Sequence, residues 1–210
     1  MKTRKLDIHK MVGVAVMAAV IGLLASTPLG FIPIGVIKAT TIHIPVILGA
    51  ILYGPTAGGI LGAVFGISSM ISSTVTPTLL SFAFSPFMST TGLPGALKAV
   101  WIALGCRILV GVGAGWLWKG LKKAKLNDYA ALPAVGFVGS MLNTVLVMGS
   151  IYFLLAQQYA EAKHVGLTAV YGLIMGTVTG AGVVEAIGAM ILVAAIGKAL
   201  LHLARRLRIQ

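Results

Sequence analysis

Acidic side chains are almost missing from this sequence: there are four Asp and Glu in 210 residues, against sixteen Lys and Arg. Charged residues of all kinds make up only 10%, far below the roughly 25% of an ordinary soluble domain. That scarcity excludes a soluble globule wetted by surface charge. Too few carboxylates are present to pair as general acid and base, and the chain has neither a G-x-x-x-x-G-K-[ST] phosphate loop nor an H-E-x-x-H metal pair. The inventory builds no enzyme, metal centre or cofactor site. The single cysteine, Cys106, lies in an apolar stretch, so an intramolecular disulfide is impossible and the thiol reads as a small hydrophobe.

What is present is hydrocarbon. Hydrophobic residues make up 58% of the chain, in runs that recur from Met11 to Leu203. A spanning helix needs about 20 mostly apolar residues to cross a core about 30 Å thick, and six segments approach that length: Met11 to Ser26, Thr41 to Tyr53, Thr56 to Ser73, Ala96 to Trp118, Ala131 to Ala156 and Ala181 to Leu203. The second is short: it extends into its flanks, or it sits among the other helices, where a reduced span is tolerated because its ends contact protein. The expected fold is an all-α membrane protein of six transmembrane helices, one integral membrane domain over 1–210.

Basic residues set the orientation. Lys2, Arg4, Lys5 and Lys10, then Lys119, Lys122, Lys123 and Lys125, then Lys198, Arg205, Arg206 and Arg208 fall on one side, while Lys38, Lys98 and Lys163 fall on the other. Lys and Arg are retained in the cytoplasm, so this pattern predicts cytoplasmic N- and C-termini in a multi-pass cell-membrane protein. Residues 1–10 form the cytoplasmic N-terminus, 119–130 a basic cytoplasmic loop, and 74–95 and 157–180 external loops. The net charge of +12 therefore reads as topology and not as a nucleic-acid surface. Two alternatives are open. The first segment, ending at Ala25-Ser26, also matches a cleaved signal peptide. Within 157–180, a last helix beginning at Leu167 would move Glu185 from near the surface to mid-membrane.

Two ionisable residues lie deep in apolar segments, Arg107 and Glu185, and each is costly if left unpaired in lipid. They form a structural ion pair, or one of them meets a polar ligand, a carboxylate or phosphate in the case of Arg107. Asn143 offers a donor and an acceptor at similar depth. The apolar connection 74–95 carries Phe84-Ser85-Pro86-Phe87 and either rests on the bundle or folds inward over a pocket. Trp101 would line that pocket or anchor at the interface, and His43 opens the second helix as a packing residue or a ligand contact. Small-residue faces occur at Ala15 and Ala19, at Gly58, Gly62 and Gly66, and at Gly172, Gly176 and Gly180. Each suits close packing within the bundle or against a partner.

The order of these features resembles the substrate-binding (S) components of energy-coupling factor transporters. The resemblance is carried by Thr41-Ile-His-Ile-Pro45 through Gly49-Ala50, by Gly54-Pro55 leading to Gly59 through Gly66, by Phe84-Ser85-Pro86-Phe87, by Glu185-Ala186-Ile187 and by the Ala15-x-x-x-Ala19 face. It implies a six-helix bundle in a prokaryotic plasma membrane that captures a small water-soluble vitamin from outside. It also implies docking through Ala15 and Ala19 to a transmembrane coupling subunit joined to two cytoplasmic ATPases. The third loop looks most like that of pantothenate-type members, with Arg107 on the carboxylate and Asn143 on the amides or hydroxyls; other vitamins stay open. The residues expected at the site are His43, Phe84, Ser85, Phe87, Trp101, Arg107, Asn143 and Glu185. A self-sufficient secondary transporter or channel and a membrane scaffold are the competing readings.

Overall fold

Each apolar run becomes a helix that ends where its sequence stops supplying backbone partners. The computed structural model describes residues 8–34 and 37–206, with the side chains of 31–39 and 205 excepted. Lys2, Arg4, Lys5 and Arg208, and most of the expected N-terminal segment, lie outside the described residues. The first helix, Ile8–Ala25, stops before Pro28, and the Ser26 and Thr27 hydroxyls donate to the Gly22 and Leu24 carbonyls at its end. The second, His43–Tyr53, is joined to the third, Pro55–Val75, by Gly54 alone; its φ of 90° is one that only glycine adopts without strain, and Pro55 supplies the first helical residue. The fourth helix, Gly92–Lys123, and the fifth, Asp128–Lys163, follow. Asn127 caps the fifth by accepting from the Ala130 amide at 2.9 Å. The sixth runs continuously through Leu167–Thr177, Val178–Gly182 and Val183–Arg206.

Five of the six helices are long and apolar enough to cross a membrane. The second has 11 residues, with His43 through Ile51 all buried. It is short because its ends meet protein and not water, as expected for an internal helix. Among the described residues the strands are those of an antiparallel hairpin, Phe31–Ile34 with Ile37–Thr40, in which Phe31 pairs with Thr40.

Two boundaries are corrected. The stretch 157–180, read as an external loop plus a partly embedded helix, is mostly helix: the fifth helix breaks at Leu155 (φ −137°, ψ 24°) but resumes to Lys163, and the sixth begins at Leu167, the alternative start. A helix persists there because its polar residues, Gln157 to Lys163, still satisfy the backbone ladder. At the break, Lys98 Nζ donates to the Leu154 carbonyl at 3.0 Å. The expected basic loop 119–130 shrinks to 124–127, since both flanking helices extend into it.

The third and fourth helices are packed backbone to backbone. A methyl group on Gly58 would overlap the Gly111 carbonyl, one on Gly62 the Arg107 carbonyl, and one on Gly66 would lie 2.6 Å from the Ala103 carbonyl. The Gly58, Gly62 and Gly66 stripe is therefore an internal contact. Gly172, Gly176 and Gly180 have open space beside them instead. Gly111→Val should lower stability by about 1–3 kcal/mol or more through overpacking, whereas Gly172→Val should stay within about 0.5 kcal/mol. Thermal unfolding in detergent compares the two, and equal effects would remove the close approach as a determinant of the fold.

Candidate functional site

Both deep ionisable residues follow a π-turn. Trp101–Gly105 is wound as π-helix within the fourth helix, and Val178–Gly182 within the sixth. A π-turn inserts a residue and rotates everything after it about the helix axis. In the fourth helix the Trp101 ring lies against Gly105, where a methyl would come within 2.6 Å of it. Arg107 then turns inward and is 6% exposed. Its Nη1 reaches back along the helix to donate to the Ile102 carbonyl, inside the π-turn, at 2.6 Å.

The guanidinium lies between two aromatic faces, 5.3 Å from the Phe65 ring centroid and 5.0 Å from that of Phe84. These contacts stabilise a cation through the ring quadrupoles. Among the described residues no carboxylate pairs with it, and the salt bridge found is Lys122 with Asp128 at 2.7 Å, elsewhere in the fold. The structural ion pair between Arg107 and Glu185 is therefore not formed. Glu185 accepts the Thr40 backbone N–H at 3.1 Å and ties the hairpin to the sixth helix.

Neighbouring helices add neutral polar groups at the same level. The Cys106 thiol meets the Leu146 carbonyl at 3.6 Å and the Ser150 hydroxyl at 3.4 Å, so Arg107 lies level with the middle of the fifth helix. Ile47, one turn after His43, packs on Gly139, next to Ser140. Ser140, Asn143 and Thr144 share one face of the fifth helix by their i, i+3, i+4 spacing, and all three are buried. Arg107 Nε, Ser140 Oγ and Asn143 Oδ1 are buried with no hydrogen-bond partner among the described residues. Each such group costs about 1–3 kcal/mol when unsatisfied. Buried polar groups left open in this way are chemistry suited to a polar ligand.

The structure places Phe84 against Arg107, buries His43 and Asn143 in their own helices, and sets Glu185 against the hairpin. Ser85 is fully buried, but its hydroxyl is engaged with Thr74 Oγ1 at 2.7 Å and its amide with the Ser81 carbonyl, so it folds the loop. That loop packs inward through Leu80, Phe82, Ala83 and Phe84. Phe87, 85% exposed, and Trp101, 49% exposed, are not brought to the layer. Phe65, Ser140 and Thr144 were not anticipated; the S-x-x-N-T spacing was the available signal. Ala15 and Ala19 are exposed together with Val12, Val16 and Val20, while Val14, Met17, Ala18 and Ile21 face the bundle.

The bundle, with five helices long and apolar enough to cross a membrane and a cation buried among them, is of the multi-pass membrane class. The sequence model for the substrate-specific component of the ECF transporter matches residues 9–197, and the chain belongs to that family. It is also 37% identical over 117 residues to the pantothenic acid transporter PanT of Lactococcus lactis subsp. cremoris (strain MG1363), an alignment covering 55% of this chain and 57% of that relative.

Replacing Glu185 with Ala removes the acceptor for the Thr40 N–H. A hydrogen bond to a charged group contributes about 1.5–3 kcal/mol, so hydrogen exchange at Thr40 should quicken at least about tenfold. Exchange read by mass spectrometry on peptides spanning the hairpin tests this; an unchanged rate would mean that the carboxylate does not hold the loop.

Proposed function

We propose that this chain is the vitamin-capturing subunit of an ATP-driven importer, and that its ligand is pantothenate. The observation that carries the reading is Arg107: a buried guanidinium held by two aromatic rings and one carbonyl, without a carboxylate partner among the described residues. Desolvated, its planar fork of donors suits one carboxylate in bidentate geometry. Pantothenate supplies that carboxylate, and its amide and hydroxyls suit Asn143, Ser140 and His43. The family and the partial likeness to the Lactococcus lactis pantothenic acid transporter support the assignment.

In this reading both termini are cytoplasmic, the ligand enters from outside under the hairpin and the Phe84 loop, and Phe84 holds the cation in place. Transport then needs a transmembrane coupling subunit and two ATPases. Ala15 and Ala19 suit the docking of such a subunit because they face away from the bundle, so a partner can cover them without disturbing the core.

Thermal stabilisation in detergent against a panel of vitamins tests the ligand, because a compound that binds only the folded state raises stability by RT ln(1 + [L]/Kd). A shift with pantothenate is expected; a shift with another vitamin would replace the ligand, and none across the panel would favour a secondary transporter or a scaffold. Arg107→Ala should weaken binding by about 2 kcal/mol, roughly thirtyfold, in a protein that still folds. Ala15→Leu with Ala19→Leu should retain binding and abolish uptake in cells carrying the energising subunits. Loss of binding in that variant would make the alanines part of the fold, and uptake by the chain alone in liposomes would make it a self-sufficient transporter.

A further inference from the structure

The end of the bundle remote from the polar layer carries a second site. The fifth and sixth helices pack closely where Gly136 meets Val193 and Gly197 meets Leu132. Beside that contact lies an open groove of about 510 Å³. Its apolar wall is Leu132, Ala194, Ala195, Ala199 and Leu201, and its polar mouth is Asp128, Tyr129, Lys198 and His202. The alanines create the space, since larger side chains at those positions would fill it.

The depth of the cavity is marked independently. Trp116, Trp118 and Tyr129 occur at this end, two of them strongly exposed, with Lys119 over the Trp116 ring at 5.4 Å and Lys122 over the Trp118 ring at 5.7 Å. Aromatic rings interleaved with Lys mark the headgroup level of a bilayer. Asp128, the acidic group at the mouth, is paired with Lys122 at 2.7 Å. Lys198, exposed and with its Nζ 4.6 Å from the Tyr129 ring centroid, presents a positive charge to the opening, and the exposed His202 imidazole adds a polar group beside it.

We infer that this cavity is a binding site for an anionic phospholipid, with the phosphodiester at Lys198 and His202 and an acyl chain along the Leu132, Ala195 and Ala199 wall. Basic pockets between membrane helices select acidic headgroups in this way. An apolar groove opening sideways between two helices suits a chain-bearing ligand, which a free phosphate is not. The site shares no residue with the Arg107 layer, so it stands whichever vitamin that layer takes.

The test is native mass spectrometry of the purified full chain in neutral detergent, titrated with phosphatidylglycerol, phosphatidylcholine or inorganic phosphate. One phosphatidylglycerol should be retained per chain, at least about fivefold more than phosphatidylcholine, and Lys198→Glu should remove that preference. Lys198→Arg should keep it. Ala199→Phe, which fills the groove and leaves every charge in place, should also lose the lipid. Equal retention of both lipids, or unaltered retention in Lys198→Glu and Ala199→Phe, would overturn the site. Displacement of the lipid by millimolar inorganic phosphate would overturn the lipid assignment in favour of a free anion.

Discussion

The structure depends on the backbone contact between the third and fourth helices. Membrane helices gain little by hiding apolar surface from equally apolar lipid, so association rests on close packing. Gly58, Gly62 and Gly66 permit that packing against Gly111, Arg107 and Ala103. The contact fixes the fourth helix at the residue carrying the buried charge, because the Arg107 carbonyl is itself one of the touching points. Phe65, one residue before the last glycine of the stripe, is thereby placed under the guanidinium. Packing and site electrostatics are set by the same few residues.

The π-turns solve a different problem. A polar side chain in a spanning helix must avoid lipid, yet helical periodicity fixes its direction once its neighbours are packed. Inserting a residue just before Arg107 eases this conflict: Ala103 in the turn and Arg107 after it both meet the third helix, while Trp101, the first residue of the turn, is half exposed. The turn also provides the Ile102 carbonyl that receives the guanidinium. The sixth helix repeats the device three residues before Glu185.

How much was readable follows from the same physics. Hydropathy over about 20 residues located the helices; the short segment from Thr41 to Tyr53 left open extension into its flanks or burial among the other helices, and the structure shows the second. The depth of Arg107 and Asn143 was also legible, since polar groups stand out in apolar runs. The facing of Phe87 and Trp101 was not, because lipid-facing and protein-facing positions of a membrane helix are both apolar and periodicity carries little signal. Nor were the π-turns, which change one residue in a window of twenty. The hairpin escaped notice because Phe31 to Thr40 is short and interrupted by Pro33. The polar run Gln157 to Lys163 looked like a loop, although nothing in it prevents a helix from continuing.

The short second helix has a mechanical consequence. Eleven residues rise only about 16 Å, about half the thickness of a bilayer core, and the chain leading into it is a strand pair instead of another turn of helix. Strand pairing satisfies only the facing backbone groups of the two strands, and Glu185 accepts an outward one, the Thr40 N–H. The segment that precedes the short helix is thus held from two sides, by the Thr41 contacts to Leu29 and Gly30 just past the end of the first helix and by Glu185 of the sixth.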